Sequence, residues 1–190
     1  GPKGVGALYI RRRQPKVSLA AQLHGGGHEQ GFRSGTLNVP GIVGFGEAAA
    51  IAKKEMEEEA GRLAPLRDHL EEQLLQQLEG TWRNGHAEQR LPHVSNIAFQ
   101  HVESERVMMA FGQKLALSSG SACTSASVEP SHVLTAMGRT TAEAHSSLRF
   151  SLGRFSKAQD IEQAIDMVIE GVERIRASSP VWEMHKAGRL

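Results

Sequence analysis

From Pro40 to Glu79 the apolar side chains recur at helical spacing: Ile42, Val43, Phe45, Ala49, Ile51 and Ala52, then Leu63, Leu66, Leu70, Leu74 and Leu78. Three- and four-residue steps over this length predict a long amphipathic helix that must lay one stripe on a core. Pro65 falls inside the pattern and predicts a kink or a division there. The charged run Lys53 to Glu59 reads as the solvated face of the same helix. Beyond a turn at Asn84-Gly85, strand and helix signals alternate. His93 to Gln100 predicts a strand, Glu103 to Phe111 a short helix, and Leu115 to Ser118 a strand. Pro130 to Gly138 predicts a helix, and Ser147 to Leu152 a strand. Ser156-Lys157-Ala158-Gln159 reads as a capping box opening a helix with Ile161, Ile165, Val168, Ile169, Val172 and Ile175 on one face. Ser179-Pro180 opens a last helix carrying Trp182 and Met184. The fold class is α/β, with helices covering a small sheet.

Composition narrows the function classes. Lys and Arg total 22 against 21 Asp and Glu, a net charge of +1, which is too weak for an electrostatic claim on nucleic acid. Aromatic residues are 5%, so a base-stacking platform is excluded as well. No apolar run reaches the ~20 residues that a membrane-spanning helix needs. The single cysteine, Cys123, allows no intrachain disulfide and no cysteine-built zinc site, and points to a reducing compartment.

The chain opens on Gly4 to Arg13, GVGALYIRRR, whose β-branched and aromatic centre predicts a strand. A lone strand cannot bury both faces, so this one predicts the inner strand of a sheet whose other members belong to a longer protein. Between Gln14 and Asn38 lies HGGGHEQGFRSGT, with five glycines that permit positive φ and close backbone approach to an anion. Arg33, Ser34 and Thr36 supply a guanidinium and hydroxyls there; a glycine-rich connection shaped only by packing explains the stretch equally well. His24 and His28 are separated by three glycines, which argues against a metal pair on one helical face.

Cys123 lies in Ser118 to Ser127, SSGSACTSAS, the most polar stretch of the chain. Free cysteine is ordinarily a small buried hydrophobe, and burial here would leave many hydroxyls unpaired. The two readings are an accessible nucleophile activated from elsewhere and an incidental surface thiol, because no Lys, Arg or His stands within several residues. Arg149 interrupts an otherwise uncharged strand, which is costly unless it has an anionic partner or lies at a sheet edge.

Taken together, GPKGVGALYIRRR, HGGGHEQGFRSGT, SSGSACTSAS, SSLRFSLGRF and SSPVWEMHK resemble the C-terminal half of group I cysteine desulfurases, the IscS/NifS family, over essentially the whole chain. The resemblance implies the C-terminal part of a fold-type-I pyridoxal-phosphate-dependent transferase. Residues 1–45 would be a remnant of the large cofactor-binding domain, and residues 46–190 the small domain with its linking helix. Members of that family are homodimers that take sulfur from L-cysteine and leave L-alanine.

By the same resemblance, Cys123 matches the persulfide-forming nucleophile and Arg149 the arginine that holds the substrate α-carboxylate. Thr36 matches the residue that contacts the cofactor phosphate of the other subunit. Arg11 to Arg13 resemble a basic edge that docks sulfur acceptors, with a solvated strand end as the other reading. The family's Schiff-base lysine lies just upstream of Gly-Pro-Lys-Gly, so it is expected outside this chain, and Lys3 belongs to the glycine turn. The expected partners are L-cysteine, a sulfur acceptor or iron–sulfur scaffold protein, and a second subunit, with no metal, nucleic acid or membrane. The expected compartment is the cytoplasm, with the mitochondrial matrix as the alternative. A noncatalytic persulfide carrier derived from a desulfurase is the second function to weigh.

Overall fold

The computed structural model describes residues 1–112, 114–119 and 129–189. It divides into two compact units, Gly1–Glu57 and Glu58–Leu190, and a helix α1, Val39–Gln77, runs through the boundary between them. Among the described residues no helix is long and apolar enough to cross a membrane.

In the first unit the expected strand over Gly4–Arg13 is not formed. A β-strand is stabilised by ladder hydrogen bonds and by burial of a face, and this segment has neither. Leu8 is 76% and Tyr9 86% exposed. The glycine-rich stretch is ordered by its own backbone. Leu23 and Arg33 form an isolated bridge, the Ser34 N–H donates to the Leu23 carbonyl (3.1 Å), and a short 3₁₀ turn spans Glu29–Gly31.

The second unit is built on four antiparallel strands: β1 (Thr81–Asn84), β2 (Val94–Phe99), β3 (Ser118–Ser119) and β4 (Ser147–Ser151). Their order is β1-β2-β4-β3. Around them lie α2 (Ser104–Phe111), α3 (His132–Ala136), α4 (Thr141–His145), α5 (Ala158–Ala177) and α6 (Pro180–Lys186). Alternation along β2 and β4 sends Ile97, Phe99, Leu148 and Phe150 into a core with Leu63, Leu70, Leu74 and Leu78 of the long apolar seam. From α2 come Val107 and Phe111, and from α5 Ile161, Ile165, Val168, Val172 and Ile175. Gly171 lets α5 approach α2, since a Cβ there would stand 2.7 Å from the Phe111 ring.

Three local expectations are corrected. Helix α1 is continuous through Pro65 rather than divided, because Gly61, whose carbonyl loses its N–H partner, is exposed where water can satisfy it. The strand expected over Leu115–Ser118 is confined to Ser118–Ser119, the residues that pair with β4. Ser156 does not open the capping box: its Oγ accepts from the Gly153 N–H (3.0 Å), and the Asp160 carboxylate caps the Lys157 N–H (2.9 Å) instead.

Two knots pair several of the buried polar groups. Glu71, 4% exposed on α1, accepts from Arg83, Arg90 and Ser95 and so ties β1, β2 and the intervening loop to the helix. Burial pushes its carboxyl up, but the hydrogen bonds from Arg90, Ser95 and Arg83 together outweigh burial and hold it below the ordinary carboxylate range. Arg176, 4% exposed, donates to the carbonyls of Glu79 (2.7 Å) and Gln100 (3.1 Å), and Trp182 of α6 covers its guanidinium at 4.0 Å. Burial lowers its pKa to about 10 against the opposing pull of Glu79 and Glu173. The helix that ends the described chain is thereby seated on the sheet's connecting loops.

Candidate functional site

Leu148 and Phe150 face the core, so the pleat of β4 turns Arg149 to the opposite face of the sheet. Strand β4 is internal, yet Arg149 is exposed, because α4 covers only the Ser147 end of that face. The guanidinium is therefore accommodated by an open face rather than by a carboxylate or a sheet edge. Register places Asn96 of β2 on one side of Arg149 and Ser118 of β3 on the other. Ser118 Oγ accepts from Arg149 Nη2 at 3.3 Å, and no carboxylate pairs with Arg149 among the described residues. A planar donor fork on an open polar face suits a carboxylate ligand.

Cys123 lies outside the described residues. It follows β3 in the chain, so the strand next to Arg149 leads directly into the cysteine segment. Arg149 and β3 belong to the second unit, and Thr36 belongs to the first. Near Thr36, the Gly35 N–H donates to His28 Nδ1 (3.2 Å) and the Gly27 N–H to Ser34 Oγ (3.2 Å). Gly35 has φ +119°, a conformation that side-chain-bearing residues rarely adopt, and it sets the backbone just before Thr36. Arg33 and Thr36 line one open groove of this unit. Arg11 to Arg13 are exposed, and Arg12 donates to the Gln30 side chain.

The sequence reading missed Asn96 and the whole of β1. The alternation Ser95-Asn96-Ile97-Ala98-Phe99 does put Asn96 on the face opposite Ile97. Only the register shows that this face carries Arg149.

The family model described as aminotransferase class-V matches residues 1–164, and the chain belongs to that family. It is 55% identical over 188 residues to the cysteine desulfurase IscS of Methylococcus capsulatus and 54% identical to that of Klebsiella pneumoniae. Each alignment covers 99% of this chain and 46% of the relative, so the chain spans about half the length of the curated relatives it matches. A solved NifS-like protein superimposes with a TM-score of 0.76 at 31% identity over 92% of this chain and 44% of its own. A NifS-like protein from Rickettsia africae gives 0.72 at 30% identity over 83% and 41%. The fold fits a fragment of a fold-type-I enzyme. The family works with pyridoxal phosphate. The guanidinium of Arg33 and the hydroxyl of Thr36 on one groove are the donor types that a phosphate monoester takes, so the residues present fit its phosphate group.

Proposed function

We propose that this chain supplies the substrate-facing half of a cysteine desulfurase, which removes sulfur from L-cysteine to leave L-alanine and a persulfide on Cys123. The observation that carries the reading is Arg149, a guanidinium that meets no carboxylate among the described residues and stands on an open polar face, beside the strand that leads into the cysteine segment. Arg149 holds the substrate α-carboxylate and with it the orientation of the amino acid. Thr36, with Arg33 on the same groove, holds the cofactor phosphate of the other subunit. When bound, pyridoxal phosphate supplies an electron sink that makes the substrate Cβ–S bond cleavable. The thiolate of Cys123 attacks the substrate sulfur; a new S–S bond forms, the Cβ–S bond breaks, and its electron pair stays with Cβ, which takes up a proton.

The names of the relatives support this assignment, and the persulfide then passes to a sulfur acceptor such as an iron–sulfur scaffold protein. The exposed Arg11 to Arg13 offer a basic docking edge for it. Exposed Leu8, Tyr9, Ile42 and Val43 support a homodimer, because apolar surface of this kind drives association. A thiolate nucleophile needs a reducing compartment, which the cytoplasm provides.

The test completes the chain with the part of its relatives' length that it does not span and assays alanine release from L-cysteine. The completed protein turns over; Cys123→Ser binds L-cysteine but releases no alanine, and Arg149→Ala loses kcat/KM by at least about 30-fold. Full alanine release by Cys123→Ser without added thiol would sink the assignment. Sulfur transfer to an acceptor with no alanine formed would replace it by the noncatalytic carrier.

A further inference from the structure

We propose that Asn96 is a second substrate-binding residue, an amide donor that binds the same carboxylate as Arg149 and is aimed at it by a relay through Asn84. The proposal rests on the reading of Arg149 as the carboxylate clamp. It starts from the row that register draws across the open face of the sheet: Asn84 on β1, Asn96 on β2, Arg149 on β4 and Ser118 on β3. Directly opposed residues of antiparallel strands present their side chains to the same face, within about 5.5 Å of one another at Cβ.

The orientation of each amide in this row follows from counting protons. Ser147 Oγ lies 2.7 Å from the Glu143 carbonyl oxygen. Two oxygens that close require a proton between them, and a carbonyl has none, so the single hydroxyl proton of Ser147 is committed there. Ser147 Oγ can then only accept from Asn84, 2.9 Å away, which identifies the atom facing it as Nδ2. The second N–H of that same nitrogen reaches Asn96 at 2.8 Å, so the Asn96 atom it meets is Oδ1. With Oδ1 committed toward β1, the planar amide turns its own NH₂ away from β1, toward the side on which Arg149 stands. The relay is not free of cost. Asn84 is 8% exposed, and its Oδ1 is buried without a partner among the described residues. A buried acceptor left unmatched is expensive, so its retention here fits a relay kept for direction rather than for stability.

A carboxylate has two oxygens and about four acceptor sites, and one guanidinium edge does not use them all. The Asn96 NH₂, on the register partner of Arg149, supplies a further donor from a different strand, which fixes the rotation of the carboxylate and hence the direction in which the rest of the amino acid points. Ser118 is not equivalent. Its Oγ accepts from Arg149 and holds the guanidinium, so it acts through the arginine.

The experiment uses the completed, cofactor-loaded protein in a Cys123→Ser background, where L-cysteine binds without turning over. Dissociation constants for L-cysteine and for cysteamine, which lacks the carboxylate, are read from the ligand-induced change in the cofactor spectrum. Asn96→Leu is expected to weaken L-cysteine about 10-fold or more while leaving cysteamine within about twofold. Asn96→Asp should weaken L-cysteine further, since a second carboxylate would occupy Arg149 and repel the ligand. Asn84→Asp offers only acceptors, which forces Asn96 to turn its NH₂ back toward β1. It should weaken L-cysteine severalfold, and Asn96→Leu added to it should have little further effect.

Urea unfolding is the folding control; a variant that does not fold is replaced by Asn96→Ser, which is expected to behave as Asn96→Leu does. If the Asn96 variants bind L-cysteine as the parent does while Arg149→Ala does not, this inference is overturned and the arginine clamp stands. If they weaken L-cysteine and cysteamine equally, Asn96 is only structural, and the inference is overturned too. If Arg149→Ala itself binds L-cysteine normally, the clamp reading falls, and this proposal falls with it.

Discussion

The two units answer the same kind of sequence signal in opposite ways. Gly4–Arg13 and Val94–Phe99 are both short runs with β-branched and aromatic residues. The second becomes β2, flanked by β1 and β4, with Ile97 and Phe99 fully buried. The first is irregular, with Tyr9 86% exposed. Strand propensity measures fitness for a pleated, half-buried surface, and it has no effect until neighbouring strands provide that surface. The glycine-rich stretch of the first unit organises itself through short-range hydrogen bonds, so it holds a shape without a core. The second unit depends on a core gathered from α1, α2, α5 and both inner strands.

The sharpest way to break this comparison is truncation of one aromatic in each unit. Phe99→Ala should cost about 3–5 kcal/mol in urea unfolding, because it leaves a cavity in a closed core. Tyr9→Ala should stay within about 0.5 kcal/mol. Comparable losses at both positions would show that the first segment is buried as the second is. A smaller effect, on the polar side of the same core, comes from Glu71. Glu71→Ala leaves Arg83 and Arg90 without their shared carboxylate and should cost about 2–4 kcal/mol at pH 7.

That contribution also depends on pH in a definite sense. The folded Glu71 carboxyl titrates below its ordinary value, so the unfolded chain takes up the proton first. The stabilisation is present above the ordinary carboxylate range and is lost as pH falls through the lower, folded value. Stability measured from pH 7 to pH 3 should therefore drop more steeply in the parent than in Glu71→Ala; parallel curves would exclude the knot as the source. The smallest expected effect is at the contact between α2 and α5. Gly171→Ala should cost about 1–3 kcal/mol in the same denaturation series, because the new methyl meets the Phe111 ring. The equivalent change at Gly46, in the first unit and with nothing near its Cβ position, should be neutral or stabilising.

Much of the second unit is legible without coordinates. The seam Leu63-Leu70-Leu74-Leu78 and the α5 face Ile161-Ile165-Val168-Val172-Ile175 are written in helical spacing, and all of these residues are buried. Strands β2 and β4 are readable from their short apolar runs, and the start of α6 from Ser179, whose Oγ accepts from the Trp182 N–H. Strand β1 is not readable, because Thr-Trp-Arg-Asn carries no apolar run, and Asn84 is buried through hydrogen bonds that depend on β2 and β4. The motifs around Cys123, Arg149 and Thr36 are likewise visible as strings, whereas the open face around Arg149 is not.

The sequence by itself determined the helices other than α4, the apolar faces they bury, the family, and the residue types available for chemistry. These follow from spacing of a few residues and from short motifs, where each side chain's neighbours along the chain suffice. Only the tertiary structure decided that the Gly4–Arg13 run pairs with no strand among the described residues, that Arg149 points to an open face, and that Asn96 is its register partner and is bonded to Asn84. The physical reason is that strand pairing, register and amide orientation are set by groups tens of residues away. A shift of one residue in the β2–β4 register would carry Arg149 past a different partner without changing a letter of the chain.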